Sequence, residues 1–186
     1  ELNERITRIG PNTPCGNLMR HYWQPVALVD EFNPALDPRM GVRPVKAVRV
    51  LGQDLVLFKN AQGEFGLLDR DCPHRGADLA FGRNEGDGLR CPFHGWTWKL
   101  DGALSVIPGQ WDFPHVGKDK MRLPEARVGT WGGFVFVNFD ADAEPLETYL
   151  ENLPEHFASF NLEDRYVAAH VAKIMPCNWK LAMEAF

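Results

Sequence analysis

Two cysteines and two histidines lie in two short clusters of this 186-residue sequence, CPHRG and CPFHG. Cys72 and His74 are two positions apart in the first cluster, and Cys91 and His94 are three positions apart in the second. In both clusters a proline follows the cysteine and a glycine comes close behind the histidine, which stiffens the loop and lets its backbone approach a bound group. Because thiolate and imidazole are good ligands for transition metals, these four side chains predict a metal site.

Two kinds of metal site use two cysteines and two histidines. One is a tetrahedral zinc site, and the other is a [2Fe-2S] centre in which two histidines replace two cysteines on one iron. Zinc sites of this composition usually take both cysteines from one turn and both histidines from one helix, whereas here each loop supplies one of each. The spacing favours the two-iron centre, with Cys72 and Cys91 on one iron and His74 and His94 on the other, and zinc stays open as the alternative.

The segments around the two clusters have the pattern of an antiparallel β domain. Alternating or continuous apolar stretches run from Val42 to about Phe139, in VRPVKAVRVLG, QDLVLFKN, EFGLLD, LRCPFHG, WTWKLDGALSVI and GGFVFVNFD. Turn residues separate them at Gly52–Asp54, Asn60–Gly63 and Asp101–Gly102, and the last pair is a strong hairpin signal because both positions tolerate positive φ. We therefore expect hairpin strands to hold the two metal-binding loops.

The chain divides into three predicted parts. They are an N-terminal wrapping segment at residues 1–41, the mainly β domain at 42–140, and a linker helix with the start of an α+β domain at 141–186. In the third part, helical spacing of apolar residues predicts a helix from Leu146 to Phe157, RYVAAHVAKIM predicts a strand, and PCNWKLAMEAF predicts a helix capped by Asn178. Because the sequence begins without Met and stops inside that helix, we expect it to be a fragment.

The composition excludes several classes of function. There are 25 acidic against 20 Lys and Arg residues, a net charge of −5, so a basic nucleic-acid surface is not expected. No apolar stretch is long enough to cross a bilayer, and no signal peptide opens the chain, which predicts a cytoplasmic protein without a membrane partner. Four cysteines are too few for a disulfide scaffold, and we expect Cys15 and Cys177 to be packing residues.

The motifs CPHRGADL and CPFHGWTW resemble the Rieske motif in the large subunit of Rieske non-haem iron oxygenases. The opening RIGPNTPCGNLMRHYWQPVAL and the closing NWKLAMEAF also resemble segments of that subunit, and the opening resembles the phthalate-dioxygenase-like group. The resemblance implies a mainly β Rieske [2Fe-2S] domain of antiparallel sheets, followed by the start of an α+β catalytic domain. It also implies that Cys72, His74, Cys91 and His94 bind the cluster.

The resemblance further implies an oxygenase. Such a protein would accept electrons from an NAD(P)H-dependent reductase or a ferredoxin, and would use O2 to hydroxylate or O-demethylate an aromatic or related small molecule. Relatives hold a mononuclear Fe(II) through two histidines and a carboxylate that would follow Phe186, so no catalytic residue is expected within this chain. We accordingly assign no iron to His115, His156 or His170. A homotrimer is the assembly that the resemblance implies.

Two other functions remain to be weighed. Respiratory Rieske proteins carry extra cysteines that form a disulfide, and Ala77 and Phe93 occupy those positions here, so a respiratory role is not expected. A stand-alone Rieske ferredoxin is the alternative to the oxygenase, but such a carrier would end soon after GGFVFVNFD and would leave the residues after Asp140 without a purpose.

Overall fold

The structure, a computed structural model, describes residues 1–33, 35 and 43–185. Its strands are β1 (Gln24–Leu28), β2 (Val45–Val50), β3 (Gln53–Lys59), β4 (Phe65–Asp69), β5 (Arg83–Asn84), β6 (Leu89–Arg90), β7 (Thr97–Trp98), β8 (Leu104–Val106), β9 (Glu125–Trp131) and β10 (Phe134–Asn138). Its helices are α1 (Leu2–Thr7), α2 (Pro14–Met19), α3 (Leu146–Leu150), α4 (Leu153–Phe157) and α5 (Trp179–Met183). None of the helices in these described ranges has the length and hydropathy of a membrane span.

The strands form two sheets, and the pairing is antiparallel throughout, as predicted. The larger sheet has the order β1-β10-β9-β4-β3-β2, and the smaller one has the order β5-β6-β7-β8. Successive strands β2, β3 and β4 pair as hairpins, which is the arrangement that the short turns between them favour. The smaller sheet carries the second metal-binding loop between β6 and β7.

Strand β3, inside the larger sheet, is buried on both faces. In β3, Leu55 and Leu57 pack in one hydrophobic cluster, while Val56 and Phe58 pack in another, because successive side chains of a strand point to opposite faces. Burying a side chain of this size stabilises the fold by about 1.5–3 kcal/mol. The cluster that contains Val56 and Phe58 also contains both predicted ligand cysteines, so one face of this sheet supports the metal site.

Two of the predicted turns differ in detail from the structure. The turn between β2 and β3 consists of Leu51 and Gly52, both with positive φ, because Val50 pairs directly with Gln53, and the predicted turn residues from Gln53 onward therefore lie in β3. At Asp101–Gly102 the turn is present, but only Gly102 adopts positive φ, and the Asp101 carboxylate instead accepts a hydrogen bond from the backbone N–H of Ala103 at 3.0 Å. The turn at Asn60–Gly63 is confirmed.

Part of the predicted wrapping segment lies inside the fold. Strand β1 pairs with β10 at the end of the larger sheet, and Phe32 is buried beneath the same sheet with its ring edge against Phe65. The predicted wrapping segment therefore also supplies an edge strand and a core side chain, because the apolar residues of β1 and Phe32 complete the sheet and its core. The predicted boundary between residues 41 and 42, and the strand start at Val42, lie outside the described residues.

The C-terminal part follows the prediction only in its helices. The predicted helix from Leu146 to Phe157 is two helices, α3 and α4, which are separated at Glu151, where φ is +48°. Helix α5 begins after Asn178, whose side-chain oxygen accepts the backbone N–H of Lys180 at 3.0 Å, as the capping prediction requires. Residues 165–175, predicted as a strand, are exposed and pair with no strand among the described residues.

Candidate metal centre

The first metal-binding loop comprises residues 72–77 and follows β4. The backbone N–H of Cys72 donates to the carbonyl of Ala77 at 2.9 Å, and the N–H of Gly76 donates to the carbonyl of Cys72 at 2.8 Å. Gly76 has a φ of +66°, a conformation that residues with a Cβ rarely adopt. The turn therefore closes on itself and leaves the side chains between Cys72 and Gly76 free to project from its tip.

The second metal-binding loop comprises residues 91–96 and repeats the same backbone. The N–H of Cys91 donates to the carbonyl of Trp96 at 2.8 Å, and the N–H of Gly95 donates to the carbonyl of Cys91 at 3.1 Å. Gly95 has a φ of +76°. The two turns match in pattern, and each begins with its cysteine. The histidine occupies the third position in the first loop and the fourth position in the second loop.

An ion pair closes the base of the first loop. The guanidinium of Arg70 donates two hydrogen bonds to the carboxylate of Asp78, at 2.9 and 2.6 Å, and Asp78 also accepts the N–H of Ala80 at 2.8 Å. The hydrogen bond from Arg70 is the main reason why the pKa of Asp78 lies below its usual range. The sequence analysis missed this pair, although the two residues flank the first cluster on either side and have opposite charges.

Both cysteine thiols lie in the core. Cys72 is 1% exposed and Cys91 is 3% exposed, and both belong to the hydrophobic cluster beneath the smaller sheet. Burial raises the pKa of the Cys72 thiol, and the neighbouring Cys91 thiol raises it further, while a hydrogen bond from the backbone of His74 lowers it. The buried Cys72 thiol therefore favours the neutral form until a cation replaces its proton, which is the behaviour of a metal ligand.

Both imidazoles lie nearer the surface and close to each other. The rings of His74 and His94 have centroids 4.7 Å apart, and His94 is exposed. The His74 ring stacks on Trp96 with centroids 4.4 Å apart and an angle of 2° between the planes. Partial burial lowers the pKa of His74, and the charges of His94 and Arg75 lower it further, which favours the neutral imidazole that binds metals.

The four predicted ligands thus form two pairs, a thiol pair inside and an imidazole pair outside. Among the residues described, no three or more Cys, His, Asp or Glu side chains are grouped around one metal position. A zinc site would gather two thiolates and two imidazoles around one ion. A two-iron centre instead uses one pair for each iron, so the donor set and its division into pairs fit a [2Fe-2S] cluster.

The remaining titratable candidates take no part in this arrangement. His115, His156 and His170 are exposed side chains on other segments. Cys15 is partly buried, as a packing residue would be, but Cys177 is exposed, so the packing expectation is wrong for Cys177. All four cysteines are free thiols.

Comparisons with known proteins agree with this interpretation of the site. The family model that describes the Rieske [2Fe-2S] domain matches residues 22–117, a range that includes both metal-binding loops. The match begins before β1, in line with the position of that strand in the larger sheet.

Two curated relatives match nearly the whole chain. The 5,5'-dehydrodivanillate O-demethylase oxygenase subunit of Sphingobium sp. is 36% identical over 99% of this chain and 40% of its own length. The phthalate 4,5-dioxygenase oxygenase subunit of Pseudomonas putida is 34% identical over 99% of this chain and 39% of its own length. The chain therefore spans about two fifths of the length of these relatives.

A solved structure shares the fold. The oxygenase in the oxygenase and ferredoxin complex of carbazole 1,9a-dioxygenase superposes with a TM-score of 0.55 at 27% sequence identity. The match covers 68% of this chain and 31% of that one.

Proposed function

Because the chain belongs to the family of Rieske [2Fe-2S] domains, we propose that Cys72 and Cys91 bind one iron of the cluster and that His74 and His94 bind the other. The division of the four side chains into a buried thiol pair and an outer imidazole pair supports this proposal. When bound, the cluster supplies a centre that takes up and releases one electron at a time.

The chain's own residues prepare the two sides of this centre differently. The buried cysteines exclude water from the sulfur side, and the two glycine turns hold them at the first positions of matching loops. The exposed ring of His94 lies on the outer side, where a redox partner would come nearest to the metal. We infer that electrons enter and leave past the histidine pair.

For the whole protein we propose an oxygenase component. It would use O2 to hydroxylate or O-demethylate an aromatic or related small molecule, with a mononuclear Fe(II) held by residues outside this chain. The observation that carries the proposal is the similarity over 99% of the chain to two oxygenase subunits, which extends through the residues after β10. That extension favours the oxygenase over a stand-alone Rieske ferredoxin. We further propose that residues 42–140 form the cluster domain and that residues 141–186 begin the catalytic domain.

The partners belong to the same proposal. We propose that an NAD(P)H-dependent reductase or a ferredoxin delivers the electrons, that the protein acts in the cytoplasm, and that it assembles as a homotrimer. The complex of the carbazole 1,9a-dioxygenase oxygenase with a ferredoxin supports the first of these points. The acidic balance of the chain argues for a partner with a basic docking face.

The test has two stages. Protein produced with ample iron and sulfide should bind iron and sulfide in equal amounts, should be red-brown, and should show the electron paramagnetic resonance signal of a mixed-ligand cluster after reduction by dithionite. A colourless protein with one zinc per chain would overturn the ligand assignment. The full-length protein, supplied with reductase and NAD(P)H, should then consume O2 with a methoxylated or carboxylated aromatic substrate, and formaldehyde release would identify O-demethylation.

A further inference from the structure

The N-terminal arm, residues 1–23, is attached to the larger sheet. Ile9 and Met19 pack against the hydrophobic cluster on one face of that sheet. The guanidinium of Arg20 donates to the side-chain oxygen of Gln53, at the start of β3, at 3.2 Å. The arm therefore has a fixed position on the β domain.

The same arm also contacts the residues that follow β10. The Nδ1 atom of His21 lies 2.6 Å from a carboxylate oxygen of Asp140. The indole N–H of Trp23 donates to the backbone carbonyl of Glu144 at 3.3 Å, and the buried Trp23 ring packs with Leu146 of α3. The arm thus crosses the boundary between the proposed cluster domain and the proposed catalytic domain.

A third contact joins the arm to helix α5. The indole N–H of Trp179, the first residue of α5, donates to the backbone carbonyl of Thr7 at 2.9 Å. Thr7 is the last residue of α1, and the last carbonyls of a helix have no partner within the helix. The indole, which is a donor only, therefore meets a backbone acceptor that α1 leaves unused.

This hydrogen bond carries much of the attachment of α5. Among the described residues, no other hydrogen bond joins residues 178–185 to an earlier part of the chain. Leu181 and Met183 of α5 are 61% and 68% exposed, so the described chain packs little against them. Because a helix of five residues is marginal on its own, its position depends on the contact that Trp179 makes.

We propose that the N-terminal arm is a brace that fixes helix α5, and with it the beginning of the proposed catalytic domain, against the cluster domain. Trp179 is the positioning residue of this brace, because its indole makes the contact with Thr7. The inference rests on the proposal that residues 141–186 begin the catalytic domain. Because the proposed oxygenase passes electrons from one kind of domain to the other, the relative position of the two domains affects its rate.

The first experiment measures hydrogen exchange of backbone amides in the full-length protein by mass spectrometry at short labelling times. Trp179→Phe retains an aromatic ring but removes the donor, so the amides of α5 and of α1 should exchange about fivefold faster. The effect on α1 separates a brace from a local loosening of α5, since the two bonded residues are 172 positions apart in the chain. Unchanged exchange in α1 would overturn the proposal.

A matched control is available in the cluster domain. Trp111 is 82% exposed and lies in another segment, so Trp111→Phe also replaces a tryptophan by phenylalanine but leaves the arm and α5 unaltered. Exchange in α1 and α5 should be the same in Trp111→Phe as in the unaltered protein. An equal increase in Trp111→Phe and Trp179→Phe would contradict a specific role of Trp179.

The second experiment measures the position of α5 directly. Cys177, an exposed thiol two residues before Trp179, is labelled with a nitroxide after the other reactive cysteines of the full-length protein are replaced by alanine. Pulsed electron paramagnetic resonance then gives the distance between the label and the reduced cluster. The distribution of distances should be narrow in the unaltered protein, and broader both in Trp179→Phe and in a variant that lacks residues 1–8. Equally narrow distributions in all three would overturn the brace.

Neither measurement depends on O2 or on a substrate. A protein that shows the expected exchange and distances, but consumes no O2 with a methoxylated or carboxylated aromatic substrate, would retain the contact and overturn the oxygenase proposal. A protein that consumes O2, but in which Trp179→Phe changes neither exchange nor distance, would overturn the brace alone.

Discussion

The two metal-binding loops share a backbone but are fixed in the fold by different means. Each begins with a cysteine whose N–H bonds the carbonyl five residues later, and each closes on a glycine with positive φ. The first loop is held at its base by side chains, through the ion pair between Arg70 and Asp78. The second loop is held by strand pairing between β6 and β7 and by the packing of two tryptophans.

The shared turn serves metal binding, because it places the ligands, whereas the different supports serve the stability of each loop. The repeated turn places one cysteine and one histidine from each loop beside their counterparts, so the two loops should be equivalent for metal binding. Their supports differ in burial, because the Arg70–Asp78 pair is partly exposed whereas Trp98 is fully buried. We therefore expect ligand substitutions in the two loops to reduce cluster binding equally. Substitutions in the backbone or at the base of the loops should reduce the stability of the protein by unequal amounts.

The largest expected effect tests the equivalence of the loops. Cys72→Ala and Cys91→Ala should each abolish the visible absorption and the reduced-state signal of the cluster, because each removes one of two thiolates from the same iron. Cys15→Ala, which alters a partly buried cysteine outside the loops, should retain both signals. Iron and sulfide analysis of the purified proteins checks this, and a full signal in either ligand variant would contradict the assignment of that cysteine.

The next effect should distinguish the two glycines. Both Gly76→Ala and Gly95→Ala place a Cβ at positive φ, which costs roughly 1–2 kcal/mol. A Cβ at Gly76 would meet no atom within 4 Å, but one at Gly95 would come within 3.1 Å of the side chains of Arg90 and Pro108. Gly95→Ala should therefore destabilise the protein by about 2–4 kcal/mol in total, since crowding adds to the backbone strain.

Urea unfolding followed by tryptophan fluorescence measures this comparison. The unaltered protein and the two variants are compared at the same pH and cluster content, and the difference between the variants is the quantity of interest. Equal losses of stability at the two positions would show that the surroundings of Gly95 adjust to the added Cβ, and the second loop would then be no more constrained than the first.

The features that the sequence predicted correctly are those encoded by short-range patterns. The antiparallel strands, the turn at Asn60–Gly63 and the cap at Asn178 follow from alternation and from turn or capping chemistry within a few residues. The assignment of Cys72 and Cys91 to one iron, and of His74 and His94 to the other, stays a prediction from the mixed spacing. These features depend on neighbouring residues, which the sequence shows directly.

The features that were missed depend on contacts between distant segments. Alternation places Trp96 and Trp98 on one face, but it does not show that Trp98 packs in one hydrophobic cluster with Cys72 of the other loop. The opposite case is residues 165–175, where an apolar pattern predicts a strand but the described part of the chain offers no partner strand. A strand requires a partner for its backbone hydrogen bonds, and the pattern of one segment cannot supply that information.

The smallest expected effect concerns the ion pair at the base of the first loop. The hydrogen bond from Arg70 holds the pKa of Asp78 below its usual range, so the folded-state pKa is lower than that in the unfolded chain. The pair therefore contributes its full stabilisation above the unfolded-state pKa of about 3.9 and loses it as the pH falls through the lower folded-state value. Asp78→Asn retains an oxygen for the N–H of Ala80 but removes the charge.

At neutral pH the Asp78→Asn variant should unfold at a lower urea concentration than the unaltered protein, by less than Gly95→Ala does, because a partly exposed ion pair contributes modestly. The difference should shrink as the pH is lowered below about 3.9 and should disappear only below the lower folded-state pKa, where Asp78 is neutral in both states. Glu85→Gln near the second loop, where Glu85 pairs with Arg83, should have a smaller effect because strand pairing already holds that loop. A difference for Asp78→Asn that persisted in acid would mean that the shape of the side chain, and not its charge, supports the first loop.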